Sequence, residues 1–311
     1  MNHKQYKILS LDGGGIRGLL TVILLQRLDH AVPGWMDNVD LIAGTSSGGI
    51  TALGLAAGIS LEEIRALYET SGPDIFRDSW ADNIKDIGKL IAADYSNKPL
   101  KKYLTHLFGN KKLRYLKKRV LISAFDLDKP HPDPAKRSWA PKFFHNFPGK
   151  DSDGNQKVVD VAMRTSAAPT YFPTYQGYID GGVIANNPSM AAIAQTQDKR
   201  SSKPANTPLH KITLLSIGTG TTLTRIKGQS LDWGYAQWAK HLLNIMTDGS
   251  MGMVDYQCRQ ILGKNYHRLC PIFPSGMKIA LDDVKKIPDL IRIGEETDLR
   301  KTIRWIRTTE S

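Results

Sequence analysis

Seven consecutive residues, Asp12-Gly13-Gly14-Gly15-Ile16-Arg17-Gly18, include four glycines, an aspartate and an arginine. Glycine loses more backbone freedom on folding than any other residue, so this density needs a reason. A strand-like apolar run precedes the stretch and a helix-like segment follows. Two chemistries fit. The spacing Gly13-x-Gly15-x-x-Gly18 matches the dinucleotide fingerprint, in which amides at a helix N-terminus hold a pyrophosphate. The same amides can instead face an anion that develops during catalysis.

A second stretch bears on the choice. Residues 39–49 read VDLIAGTSSGG, and Gly44-Thr45-Ser46-Ser47-Gly48 is G-x-S-x-G. A strand-like run lies before it and a helix-like segment after it, which is the setting of a nucleophile elbow. There a serine rides a sharp turn with its Oγ raised from the end of the sheet, and flanking glycines leave room for the turn. The plain alternative is an ordinary strand-to-helix turn. Serine also needs a base. None of the eight histidines (His3, His30, His106, His131, His145, His210, His241 and His267) has a distinctive setting. Asp180 has one: it ends a short run at 175–179 and precedes Gly181 and Gly182, in IDGGVIANNP. Taken alone, Asp-Gly-Gly is usually just a turn. A dinucleotide site would also want an acidic residue about 20 positions past Gly18. Asp37 and Asp40 lie there, but Asp40 enters the elbow strand.

The elements that must hold these residues alternate. Strand-like runs fall at 6–11, 39–43, 119–125 and 211–217, with helical patterns between them, and this predicts an α/β fold with a largely parallel sheet covered on both faces. Helices are expected over 18–31, 47–57 and 61–70, the last opened by the capping box Ser60-Leu-Glu-Glu63. Asn97 and Pro99, then Leu100, Tyr103, Leu104, Leu107 and Phe108 at helical spacing, predict another, with its stripe facing the core. Residues 126–157 hold five prolines and read as a long loop. Its Trp139, Phe143, Phe144 and Phe147 either anchor it to the core or cover an acyl pocket or bilayer. From residue 231 on the pattern is mostly helical.

Composition bounds the class. The 311 residues are 41% hydrophobic and 23% charged, which is globular. No apolar run reaches the ~18–20 residues that span a bilayer. No secretory signal is visible, and Cys258 and Cys270 lack metal-site spacing and make no disulfide framework. A reducing, cytoplasmic setting is expected. The net charge of +12 is uneven: residues 98–119 carry nine Lys or Arg and no acidic residue. A solvated basic face and an anionic partner, either a lipid headgroup surface or a nucleotide, explain this run equally well.

Together the blocks Asp12–Gly18, Gly44–Gly49 and Asp180-Gly181-Gly182, in this order, resemble the patatin-like phospholipase family. RTSAAPTYFP (164–173) resembles the family's helix and bend before its aspartate, and LLSIGTG (214–220) a later strand. The resemblance implies a three-layer sandwich with a largely parallel central sheet. It implies a Ser–Asp dyad without histidine: Ser46 as nucleophile, Asp180 as base, and an oxyanion hole from Gly13, Gly14, Gly15 and Arg17. Gly14 and Gly15 are the expected amide donors, and Arg17 steadies the loop or meets a substrate phosphate. No metal or cofactor is expected. One composite domain, 1–311, is expected, with a catalytic core over 5–220 and a mostly helical extension, 221–311, packed on it. The implied substrate is membrane phospholipid, met by a cytoplasmic protein peripheral at the inner membrane. Some bacterial members are anti-phage effectors switched on by cyclic dinucleotides, so such a ligand is the candidate activator, and a homo-oligomer is a candidate assembly. No nucleic-acid polymer is expected as partner. The alternatives are a constitutive or neutral-lipid esterase, a secreted effector lipase without the switch, a binding module on a silent hydrolase fold, and a nucleotide-dependent oxidoreductase.

Overall fold

The computed structural model describes residues 5–76, 93–201, 207–226 and 232–310. Strand β1 (Tyr6–Leu11) sends Leu9 and Leu11 into one apolar layer and Ile8 into another. β2 (Leu41–Thr45) divides Ile42 from Leu41 and Ala43 in the same way, and β6 (Ile212–Ile217) divides Leu215 and Ile217 from Ile212 and Leu214. Strands buried on both faces read as continuous apolar runs, which made them visible in the sequence. β3 (Arg119–Lys129) and β7 (Tyr266–Leu269) complete the parallel part. The sheet runs β4-β3-β2-β1-β6-β7, with β4 (Ser138–His145) and β5 (Tyr178–Asp180) both antiparallel to β3.

One face packs against α1 (Gly18–Ala31), α2 (Ser46–Ala57), α3 (Leu61–Ala66), α4 (Lys98–Phe108) and α5 (Val158–Thr165). The other face carries α6 (Ser189–Thr196) and α7 (Tyr235–Leu262). Near the C-terminus, α8 (Ile287–Glu296) and α9 (Arg300–Glu310) return to the first face, burying Leu290, Ile293 and Ile306 beside α1. The expected α/β sandwich is therefore present. It differs from the expected helical extension in one element: β7 adds a parallel edge strand.

Three local expectations change. The strand expected at 39–43 begins at Leu41: at Asp40 it is the side-chain carboxylate that accepts from the Lys7 amide of β1, at 2.9 Å. That engagement also removes Asp40 as a ribose ligand. The helix expected over 61–70 keeps its capping box but widens into a π turn at Leu67–Ser71, which carries Tyr68 beneath the elbow, where its hydroxyl donates to the Ser47 carbonyl at 3.0 Å. The loop expected at 126–157 contains a hairpin instead: β3 runs on to Lys129 and β4 returns. Proline density hid the strand. Pro141 sits on β4 at the sheet edge, where a missing N–H is tolerated. Phe144 and Phe147 are buried anchors, while Trp139 is exposed.

The stripe on α4 faces the core through Leu100, Leu104 and Phe108. Much of the basic run serves the fold. Lys111 donates to the Ala57 carbonyl, Lys118 to those of Asp37 and Val39, and Arg119 to that of Asn146.

Candidate active site

β3 brings the two candidate catalytic residues together. On one edge it pairs β4 along most of its length. On its other edge it first pairs β2, ending at Thr45 opposite Ser123, and one residue later pairs β5, with Asp180 opposite Ala124. β5 therefore occupies the lane that β2 vacates, and Asp180 arrives where Ser46 turns into α2. The Ser46 hydroxyl lies near enough to the Asp180 carboxylate to favour its charged form, and the Gly182 amide donates to the same carboxylate at 2.7 Å. The Asp180 amide is held by the Ala167 carbonyl at 2.9 Å. Burial raises the Asp180 pKa from 3.8 to about 6, against the Ser46 hydroxyl and the Gly182 amide, which lower it.

Ser46 has φ of 54°, in the left-handed region that a side chain rarely adopts. Such strain costs roughly 1–3 kcal/mol and persists where neighbours over-determine it. The Ser46 amide donates to Thr165 Oγ1 at 2.9 Å, and Thr165 Oγ1 donates in turn to the Ser123 carbonyl. Glycine is required on both sides of the turn. A Cβ at Gly44 would lie 2.3 Å from the Gly48 carbonyl oxygen, and one at Gly48 would lie 2.4 Å from those of Leu11 and Asp12. Gly181 is equally confined, with Ser123 Oγ 2.3 Å from where a Cβ would stand, while Gly182 supplies its amide to Asp180.

The glycine loop lies against this turn: a Cβ on Gly13 would stand 3.2 Å from the Ser46 Cβ. The loop is fastened on both sides of Gly14 and Gly15. The Gly13 amide donates to the Asn186 carbonyl, and the Gly13 carbonyl accepts from Thr219 Oγ1 at 3.0 Å. The Ile16 amide donates to the Leu281 carbonyl at 2.7 Å. Among the described residues, neither the Gly14 nor the Gly15 amide is taken by a carbonyl or side chain. Arg17 folds back on the loop, with Nε 3.4 Å from the Gly14 carbonyl oxygen. Burial lowers its guanidinium pKa, opposed by Cys270, Asp248, Tyr171 and Asp12 nearby.

Ser46 and Gly15 open onto a cleft that is partly open to solvent. Ile16, Ile50, Ile75, Phe76, Tyr171 and Phe172 make its wall apolar. No histidine lines it among the described residues. His145 faces Asp151, and His267 faces Thr302. The sequence reading missed Thr165, Thr219, Asn186 and Leu281. Thr165 and Thr219 lie inside the stretches that carried the resemblance, whereas nothing local marks Leu281.

A serine at a strained strand-to-helix turn, a buried carboxylate beside it and a glycine loop over an apolar cleft fit the class of hydrolases. The chain belongs to the patatin-like phospholipase family, whose profile matches residues 9–193. It is 32% identical to Protein teg of Priestia megaterium, covering 97% of this chain and 98% of that one. It is 34% identical to the cGAMP-activated phospholipase of Pseudomonas aeruginosa, over 85% of this chain and 78% of that one. Among solved structures, the ExoU–SpcU complex of Pseudomonas aeruginosa aligns with a TM-score of 0.47 at 14% identity, covering 98% of this chain and 52% of that chain. No helix among the described residues is long and apolar enough to cross a membrane.

Proposed function

We propose that the protein cleaves acyl esters of membrane phospholipids through an acyl-Ser46 intermediate, with Asp180 as the base. The placement of Ser46, held at positive φ, beside the buried Asp180 carboxylate is the observation that carries this reading. Asp180 takes the Oγ proton as Oγ bonds to the ester carbonyl carbon, and the carbonyl π pair moves onto oxygen. The Gly14 and Gly15 amides receive this oxyanion; losing one such donor typically costs ~10²–10³ in rate. Collapse of the intermediate expels the alcohol, which leaves with the proton from Asp180. Water then gives a proton to Asp180 and attacks the acyl carbon. The second collapse releases the fatty acid and returns the proton to Ser46. The apolar cleft suits the acyl chain, and Arg17 steadies the loop.

The name of the 34% identical Pseudomonas relative supports a second layer of the reading, in which a cyclic dinucleotide switches this activity on. Fatty-acid release from bacterial-lipid vesicles, with and without a panel of cyclic dinucleotides and with Ser46→Ala as control, tests both. Release that needs one nucleotide supports the gated phospholipase. Release without any nucleotide leaves the hydrolase standing and removes the gate. Wild type equal to Ser46→Ala in every condition overturns the catalytic assignment.

A further inference from the structure

Arg268 of β7 lies two strands away from the glycine loop, yet its guanidinium reaches it. Ser10 on β1 pairs Ser216 on β6, and Ser216 pairs Arg268 on β7, so the three share one register across parallel strands. Asp12 lies two residues beyond Ser10, where the chain leaves the sheet to become the loop. Arg268 grips it bidentately: Nη1 donates to Asp12 Oδ1 at 2.8 Å and Nη2 to Oδ2, while Nη1 also donates to Ser216 Oγ at 2.7 Å. The same polar seam runs through Ser189 Oγ, which donates to Asn187 Oδ1 at 2.6 Å and lies within hydrogen-bond distance of Ser10 Oγ and Ser216 Oγ. It thus joins the segment after Asp180 to the root of the loop. Although burial works against the cation, the Asp12 carboxylate holds the Arg268 guanidinium pKa above its ordinary value.

A buried ion pair is a poor source of stability, because desolvating both charges cancels much of their attraction. A planar fork against a carboxylate is, however, a strong orienting device. Resting on the hydrolase reading above, we infer that Arg268 is a positioning residue for the reaction: by fixing Asp12, it fixes the direction in which the Gly14 and Gly15 amides point. Arg268 lies outside the stretch matched by the family profile and touches neither Ser46 nor the cleft.

The test measures Arg268→Gln, Arg268→Lys and Asp12→Asn against wild type and Ser46→Ala, in the full chain under the conditions that support release. The expected result is a fall of ~10²-fold in kcat, comparable to loss of an oxyanion donor, with KM nearly unchanged. A long-chain trifluoromethyl ketone, which forms an oxyanion when Ser46 adds to it, should lose affinity by the same factor. Inhibition by a long-chain alcohol, which fills the cleft with no anionic oxygen, should not change. A purely structural role would lower the melting temperature and leave these ratios alone. Should Arg268→Gln fail to fold, Arg268→Lys and Asp12→Asn carry the same comparison. The proposal is overturned if the folded variants keep wild-type kcat and ketone affinity, or if all three variants unfold. Wild type equal to Ser46→Ala would instead remove the hydrolase reading itself.

Discussion

Asp180 is the residue whose environment makes the sharpest statement. Its pKa rises from 3.8 unfolded to about 6 folded, so the native state binds this proton more tightly than the unfolded chain. Stability from this group is therefore full below about pH 4 and declines as pH rises towards 6, reaching a penalty of about 3 kcal/mol that persists above it. Asp180→Asn removes the buried charge. It should melt higher than wild type at pH 8, melt alike at pH 4, and lose ester hydrolysis by ~10²–10⁴-fold. In the wild type, kcat/KM should climb tenfold per pH unit below about 6 and level above it, because only the carboxylate accepts the Ser46 proton. Thermal melts at the two pH values and a pH–rate profile check both. Gly48→Ala would drive a methyl group into the Leu11 and Asp12 carbonyls and should cost ~1–3 kcal/mol, read by chemical denaturation, together with activity. These positions were legible in the sequence because close backbone approach demands glycine. Arg268, Thr219 and Leu281 were not, since their partners lie far away in the chain and nothing in a lone arginine, threonine or leucine announces them.

At the scale of elements, the site is a junction of three strands. β2 stops, β5 takes its lane beside β3, and the two ends deliver Ser46 and Asp180 to one point. The strands buried on both faces were readable as apolar runs. β5, with three residues, β7, with four, and β4, with a proline within it, are too short or too interrupted for periodicity to reveal. The π turn has no local sequence signal; it coincides with the bond from Tyr68 to Ser47, a tertiary contact. The cleft wall draws on the one-turn helix Gly72–Ile75, α4 and the bend at Tyr171–Phe172. Ile75→Trp should fill part of it. The expected outcome is a tenfold or greater fall in kcat/KM for long acyl chains and little change for short ones, since each buried methylene is worth ~1–3 kcal/mol in such a pocket. Hydrolysis of p-nitrophenyl esters of graded chain length checks it.

Across the whole molecule, the C-terminal third is structurally continuous with the rest. Leu269, Phe273, Ile279, Leu290, Ile293, Leu299 and Ile306 belong to the same apolar core as α1 and α2. Each buried side chain contributes ~1.5–3 kcal/mol, so the set is worth roughly 10–20 kcal/mol, as much as the whole ~5–15 kcal/mol by which a typical domain is stable. A chain ending at residue 262 should show no cooperative thermal transition, whereas the full chain should melt in one, as circular dichroism would report. That continuity lets an arginine at 268 and a carbonyl at 281 fasten a loop that begins at residue 12. The central claim is that this assembly activates one serine through one carboxylate. Labelling with a long-chain fluorophosphonate, mapped by peptide mass spectrometry across pH, tests it most directly. The expected adduct is on Ser46, formed at a rate that rises with a midpoint of about pH 6 and collapses in Asp180→Asn. An adduct on another serine, or an Asp180→Asn protein that labels at the wild-type rate, would contradict it.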